Sequence, residues 1–123
     1  MRKKRYFLNG KRASKGEFAV GCFLELNNIE YTKEKTFPDL LSENGNPLRF
    51  DFYIPEKNLL IEFQGQHHFK PVNKYAKAKR VHETTKMRDE IKRAYCLNNN
   101  IALLEINIKD INKVDEILTK YAL

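Results

Sequence analysis

The stretch LRFDFYIPEKNLLIEFQGQHHF, from Leu48 to Phe69, constrains this chain more than any other. It predicts two strands joined by a tight turn at Pro55-Glu56-Lys57-Asn58. Alternate residues of a strand share a face. Phe50, Phe52 and Ile54 therefore point one way, and Arg49, Asp51 and Tyr53 the other. In the second strand Leu59, Ile61 and Phe63 share one face, and Leu60, Glu62 and Gln64 the opposite one. Packing the apolar sets into one core gathers Asp51, Glu62 and Gln64 together. Two neighbouring carboxylates repel, so both stay ionised only beside a compensating charge. A divalent cation is the simplest one, and hard oxygen ligands suit Mg²⁺ or Mn²⁺.

The chain has 123 residues, which predicts one domain with a real core. Its net charge is +7, and the charge is unevenly spread. Residues 1–16 carry seven Lys/Arg and no acid, residues 17–66 nine acids against four bases, and residues 67–123 twelve bases against seven acids. A basic surface around an acidic pocket suits a polyanion that meets a metal site; an ordinary solvated basic surface is the alternative. Cys22 and Cys96 show no metal-ligand spacing, and free thiols point to a reducing compartment. Behind the basic cluster of MRKKRYFLNG, only Tyr6-Phe7-Leu8 could serve as a signal-peptide core, which is too short. No segment is apolar enough to span a membrane, and a cytoplasmic protein is expected.

Along the chain, residues 1–13 are expected as a mobile basic arm and residues 14–123 as a single domain. Ser14 and Glu17 form a capping-box pattern ahead of a helix to about Asn28. A short strand is expected near Tyr31–Phe37, then a loop from Pro38 to Pro47, then the hairpin. Phe69 to about Glu83 is a lysine-rich loop. A helix follows from Thr84 or Thr85 to about Leu97, with Met87, Ile91, Ala94 and Tyr95 inward. Asn98-Asn99-Asn100 can supply a left-handed cap. Ile101–Ile106 is a buried strand, and Asp110 caps a last helix. This order builds an α/β layer architecture, a mixed sheet flanked by helices.

Order and residues together resemble the PD-(D/E)XK, or restriction-endonuclease-like, nucleases. The chain looks most like their small branch similar to very-short-patch-repair and homing endonucleases. The matching pieces are Ser14-Lys15-Gly16-Glu17, Arg49-Phe50-Asp51-Phe52-Tyr53, Ile61 through Phe69, and the helix text from Arg88 to Cys96 with the strand after it. The resemblance implies the fold order αβββαβ, here with a C-terminal helix. It also implies metal-dependent hydrolysis of DNA phosphodiester bonds, with Asp51, Glu62, the carbonyl of Phe63 and Glu17 around Mg²⁺ or Mn²⁺. There is one departure: the family lysine two residues after the second carboxylate is Gln64. An amide orients a water or a phosphate but supplies no positive charge.

Each residue also has a plainer reading. Asp51 and Glu62 could be solvent-facing strand acids, and Glu17 could only cap the helix. The resemblance sets Gln64 and His68 in the site, the latter as proton carrier or phosphate contact. Lys92 either pairs with Asp89 one helical turn away or reaches the site and supplies the missing charge. Pro38-Asp39 looks like the family's namesake dipeptide but is expected to be a decoy. Arg2, Lys3, Lys4, Arg5, Lys11 and Arg12 of the arm, and Lys70, Lys74, Lys77, Lys79 and Arg80 of the loop, are candidate phosphate contacts. Tyr75 is a candidate for base stacking. DNA is the implied partner, and a double-strand break would need a homodimer or two sequential nicks. The rivals are a nuclease-like DNA-binding protein that does not cut, and a small basic interaction protein.

Overall fold

The computed structural model describes residues 5–65, 74–121 and 123. The apolar alternation of the hairpin segments builds the centre of a four-stranded sheet of β3 (Thr32–Leu41), β4 (Pro47–Ile54), β5 (Leu59–Gln64) and β6 (Ala102–Asn107), in that spatial order. A separate hairpin of β1 (Tyr6–Leu8) and β2 (Lys11–Ala13) precedes it, followed by helix α1 (Lys15–Leu26). β3, β4 and β5 form an antiparallel meander. β6 lies parallel to β5, and helix α2 (Ala76–Asn98) belongs to the long connection that a parallel pair requires. Helix α3 (Val114–Lys120) ends the order. The protein is thus mixed α/β, with helices flanking a mixed sheet. No helix among the described residues is long and apolar enough to cross a membrane.

Both faces of the sheet are buried, so the apolar residues form two clusters and not the single core expected. Val20 and Leu24 of α1, and Val114 and Leu118 of α3, pack on Phe52, Ile54, Ile61 and Ile106. Cys96 of α2 packs with Leu40, Leu48, Phe50 and Leu60, so Phe50 joins the α2 cluster and not that of Phe52 and Ile54, with which strand alternation had grouped it. The turn is where it was expected: a 3-10 turn at Pro55–Lys57 closes on Asn58 in the left-handed region (φ +46°). Asn100 (φ +56°) likewise supplies the left-handed residue after α2.

Other elements differ from the sequence reading. β3 runs straight through Pro38 and Asp39, where a loop was expected. β3 is an edge strand, and its register against β4 shifts between Thr36 and Leu41, so a proline is tolerated there. Residues 6–13 of the expected arm form the β1–β2 hairpin through Asn9-Gly10, both at positive φ (+50° and +78°). Leu8 anchors it, seated against Gly21, where a Cβ would meet the leucine side chain at 2.6 Å. α2 begins at Ala76, so residues 76–83 are helix and not loop. Asp110 caps nothing; it sits at a kink within the 3-10 stretch Ile108–Lys113, and the Asn107 side chain accepts from Lys109 N–H at 2.8 Å instead.

The inward face of α2 is also not the apolar stripe. Met87 and Ile91 are exposed, whereas Asp89 and Cys96 are buried and Lys92 is mostly covered. The helix turns a charged edge towards the sheet because a buried acid there needs a cation.

Candidate functional site

Regular pairing of β4 with β5 covers Phe52↔Ile61, Tyr53↔Leu60 and Ile54↔Leu59. At the next position Asp51 stands across from Glu62, and side chains take over the ladder. The Asp51 N–H donates to Glu62 Oε1 (2.9 Å), and the Phe63 N–H donates to Asp51 Oδ2 (2.7 Å). Each acid thus satisfies a backbone amide of the opposite strand that would otherwise lack a partner. The expected juxtaposition of these two carboxylates is present.

The electrostatics follow from burial. Glu62 is only 5% exposed. Desolvation pushes its pKa well above the carboxylate range, Asp51 adds to the rise, and Lys92 and the Asp51 N–H oppose it. Asp51 is raised by burial, opposed by the Phe63 N–H, raised further by Glu17 and lowered by Lys92 and Lys33. The Lys92 ammonium lies 3.3 Å from Glu62 Oε2 and 5.2 Å from the centre of the Phe50 ring. Of the two readings open for Lys92, its ammonium takes the one in the acidic site.

Glu17 enters from the first turn of α1. Its N–H donates to Ser14 Oγ at 3.1 Å, which is one half of the capping box. Its carboxylate does not complete the box; it accepts from Lys33 of β3 at 3.1 Å. Lys33 lies 5.1 Å from the Phe52 ring centre. Gly16 lets this turn approach the sheet, since a Cβ there would overlap the Phe63 ring.

Gln64 is buried, and its Nε2 donates to Glu105 Oε1 at 2.9 Å. Glu105 stands in register with Glu62 on the neighbouring parallel strand and also accepts from Arg93 Nε at 2.8 Å. The amide is thereby held with its oxygen as the remaining acceptor. Sequence reasoning missed Lys33, Arg93 and Glu105. Only Glu105 left a signal, a single acid in the otherwise apolar run from Ile101 to Ile106.

Of the remaining candidates, His68, Lys70, Arg2, Lys3 and Lys4 lie outside the described residues. Lys74 precedes α2, and Lys77, Lys79 and Arg80 lie on its first turns, all exposed. Tyr75 is the exposed residue just before that helix. Arg5 is exposed ahead of the β1–β2 hairpin, and Lys11 and Arg12 are exposed on it. Asp39 accepts from the Tyr95 hydroxyl at 2.7 Å, a brace between β3 and α2, and has no recorded bond to the acidic pair.

Among the described residues, no group of three or more His, Cys, Asp or Glu side chains could hold a metal ion as placed. The oxygen set of Asp51, Glu62 and the Phe63 carbonyl nevertheless fits a hard divalent cation. Glu62 is buried and Asp51 half-buried, both are acids raised in proton affinity, and no described residue donates to Asp51 Oδ1. Glu17, held by Lys33 through Oε2, lies near enough to raise the proton affinity of Asp51.

Fold and site together define a mixed α/β protein in which Asp51 and Glu62 meet between two strands, with Lys92 on Glu62. The chain is similar to the uncharacterized protein 307L of Invertebrate iridescent virus 6, with 36% identity over 86 residues, 63% of this chain and 44% of that protein. It is also similar to the uncharacterized protein 033L of Invertebrate iridescent virus 3, with 29% identity over 96 residues, 76% of this chain and 48% of that protein. The chain spans about half the length of these curated relatives. No family model and no solved structure matches it.

Proposed function

We propose that this chain is a metal-dependent endonuclease of the PD-(D/E)XK type that hydrolyses DNA phosphodiester bonds. The observation that carries the reading is the pairing of half-buried Asp51 with buried Glu62, each acid bonded to the opposite strand, with Lys92 on Glu62. A strand order of antiparallel meander plus one parallel strand, with α1 before it and α2 in the connection, supports the restriction-endonuclease-like fold.

In this reading Asp51, Glu62 and the Phe63 carbonyl hold Mg²⁺ or Mn²⁺. The bound ion supplies a water of lowered pKa and offsets charge on the phosphate. Lys92 stands in for the lysine that Gln64 replaces, its ammonium countering the charge that develops on the phosphate oxygens. Gln64 Oε1 accepts a hydrogen bond from the attacking water, and Glu105 with Arg93 holds the amide. The two free thiols fit a reducing compartment, the cytoplasm. A double-strand cut requires a second copy of the chain or a second nick.

The test incubates supercoiled, single-stranded, mismatched and branched DNA with Mg²⁺, Mn²⁺ or EDTA. The expected result is metal-dependent cutting that Asp51→Asn and Glu62→Gln abolish while circular dichroism stays unchanged. Full activity in both variants contradicts the assignment. The replacement of the family lysine by Gln64 favours a second reading, a nuclease-like protein that binds DNA without cutting it. Metal-independent DNA binding with no cleavage of any form selects that one.

A further inference from the structure

Most cations near the sheet have a carboxylate partner: Lys33 with Glu17, Lys92 with Glu62, Arg93 with Glu105, Arg88 with Glu43 and Lys11 with Glu34. Arg5, Arg12 and Lys15 do not, a property they share with Lys35 of β3 and with exposed lysines such as Lys57, Lys109 and Lys120. Among the described residues no acid pairs with Arg5, Arg12 or Lys15, and no acid occurs in residues 1–16 to do so. These three side chains do not scatter over the surface. They line one open cleft of about 470 Å³, together with Tyr6, Ala13 and Ser14.

The cleft is built, not incidental. Pairing of Tyr6 with Ala13 holds the two ends of the β1–β2 hairpin together, so Arg5 and Arg12 approach one another. Lys15, the first residue of α1, lines the cleft from the helix. The Tyr6 ring is fixed against Phe18 of α1, with ring centres 5.1 Å apart. Three like charges converging without an anion repel one another, and a phosphate removes that repulsion. The same first turn of α1 carries Gly16 against Phe63 and Glu17 beside Lys33, so the cleft and the acidic site share one structural support.

From this the geometry points to a second anion site: the cleft of Arg5, Arg12 and Lys15 holds a backbone phosphate of the nucleic-acid strand whose bond is cut at Asp51 and Glu62. It rests on the nucleic-acid reading of the acidic site and adds to it an anchor that sets where along the strand that site falls.

The test is fluorescence anisotropy of a labelled DNA duplex and a labelled single strand, in EDTA so that no cutting intervenes, across a KCl series. Each phosphate contact contributes about 0.7–0.9 to the slope of log affinity against log salt. The triple variant Arg5→Gln/Arg12→Gln/Lys15→Gln is expected to lower that slope by about one and to weaken binding at least tenfold. The control variant Lys57→Gln/Lys109→Gln/Lys120→Gln removes the same charge from exposed positions elsewhere and is expected to leave the slope unchanged. Equal behaviour of the two variants overturns the inference, as does a wild-type chain that binds neither DNA. A chain that cuts DNA while the two variants bind alike loses the cleft and keeps the nuclease reading. One that binds through the cleft and never cuts keeps the cleft and loses the nuclease.

Discussion

Lys92 and Glu62 show how one residue's place depends on another's charge. Their side chains are 13% and 6% exposed, so each ion depends on the other for compensation. Breaking a buried pair from one side costs about 3–5 kcal/mol. Lys92→Met is therefore expected to destabilise the protein by at most about that much near pH 9, where wild-type Glu62 is ionised beside Lys92 and the variant must either leave that charge unpaired or take up a proton. The loss is expected to shrink near pH 6, since burial and Asp51 already favour protonated Glu62 and removing Lys92 favours it further. Denaturant melts at both pH values check this, and an equal loss at both would contradict it. At this scale much of the site was legible. Asp51 and Glu62 follow from strand alternation. Lys33 was not legible, because its strand was weakly signalled and nothing local tied it to Glu17, sixteen residues earlier.

At the scale of elements, the contact between α1 and β5 depends on Gly16. Gly16→Ala drives a methyl into the Phe63 ring, and overpacking of this kind costs about 1–3 kcal/mol. The substitution is expected to lower the melting temperature, and Phe63→Leu in the same chain to restore much of it by making room. If the double variant melts below the single one, the contact is not the cause. Elements whose signals are local were legible: β4, β5, the Pro55–Lys57 turn and the Ser14 cap. Those decided by distant partners were not. The apolar spacing of Met87 and Ile91 lost to the need of Glu62 for Lys92, which rotates α2. Pro38 failed to end β3 because edge position and a register shift, neither visible in sequence, excuse it. Asn9-Gly10 was a readable hairpin signal, overlooked behind the basic residues around it.

For the whole molecule, the acid pair makes stability depend on pH in an unusual direction. Asp51 and Glu62 both have folded pKa values raised above their unfolded ones, chiefly by burial. Such groups contribute stability that is fully present below the unfolded carboxylate range and is lost as pH rises through the raised values. Without divalent ions the protein is expected to melt at a lower temperature near pH 8 than near pH 6. Mg²⁺ binding only the folded form adds about 2.7 kcal/mol at a hundredfold excess over its Kd, so it is expected to reverse much of that loss at the higher pH. Calorimetric scans at the two pH values, with and without Mg²⁺, check both signs. A melting temperature that is flat across this range, and unmoved by Mg²⁺, would contradict a shared buried acid site.

The same two carboxylates close the seam between β4 and β5, so the proposed hydrolysis and the architecture would draw on the same atoms. A lineage that abandoned cutting could not discard them freely, because small side chains would leave two amides dangling inside the sheet. On the proposed nuclease reading, relatives that do not cut should therefore carry Asn or Gln at positions 51 and 62, a fossil of that chemistry kept for its carpentry.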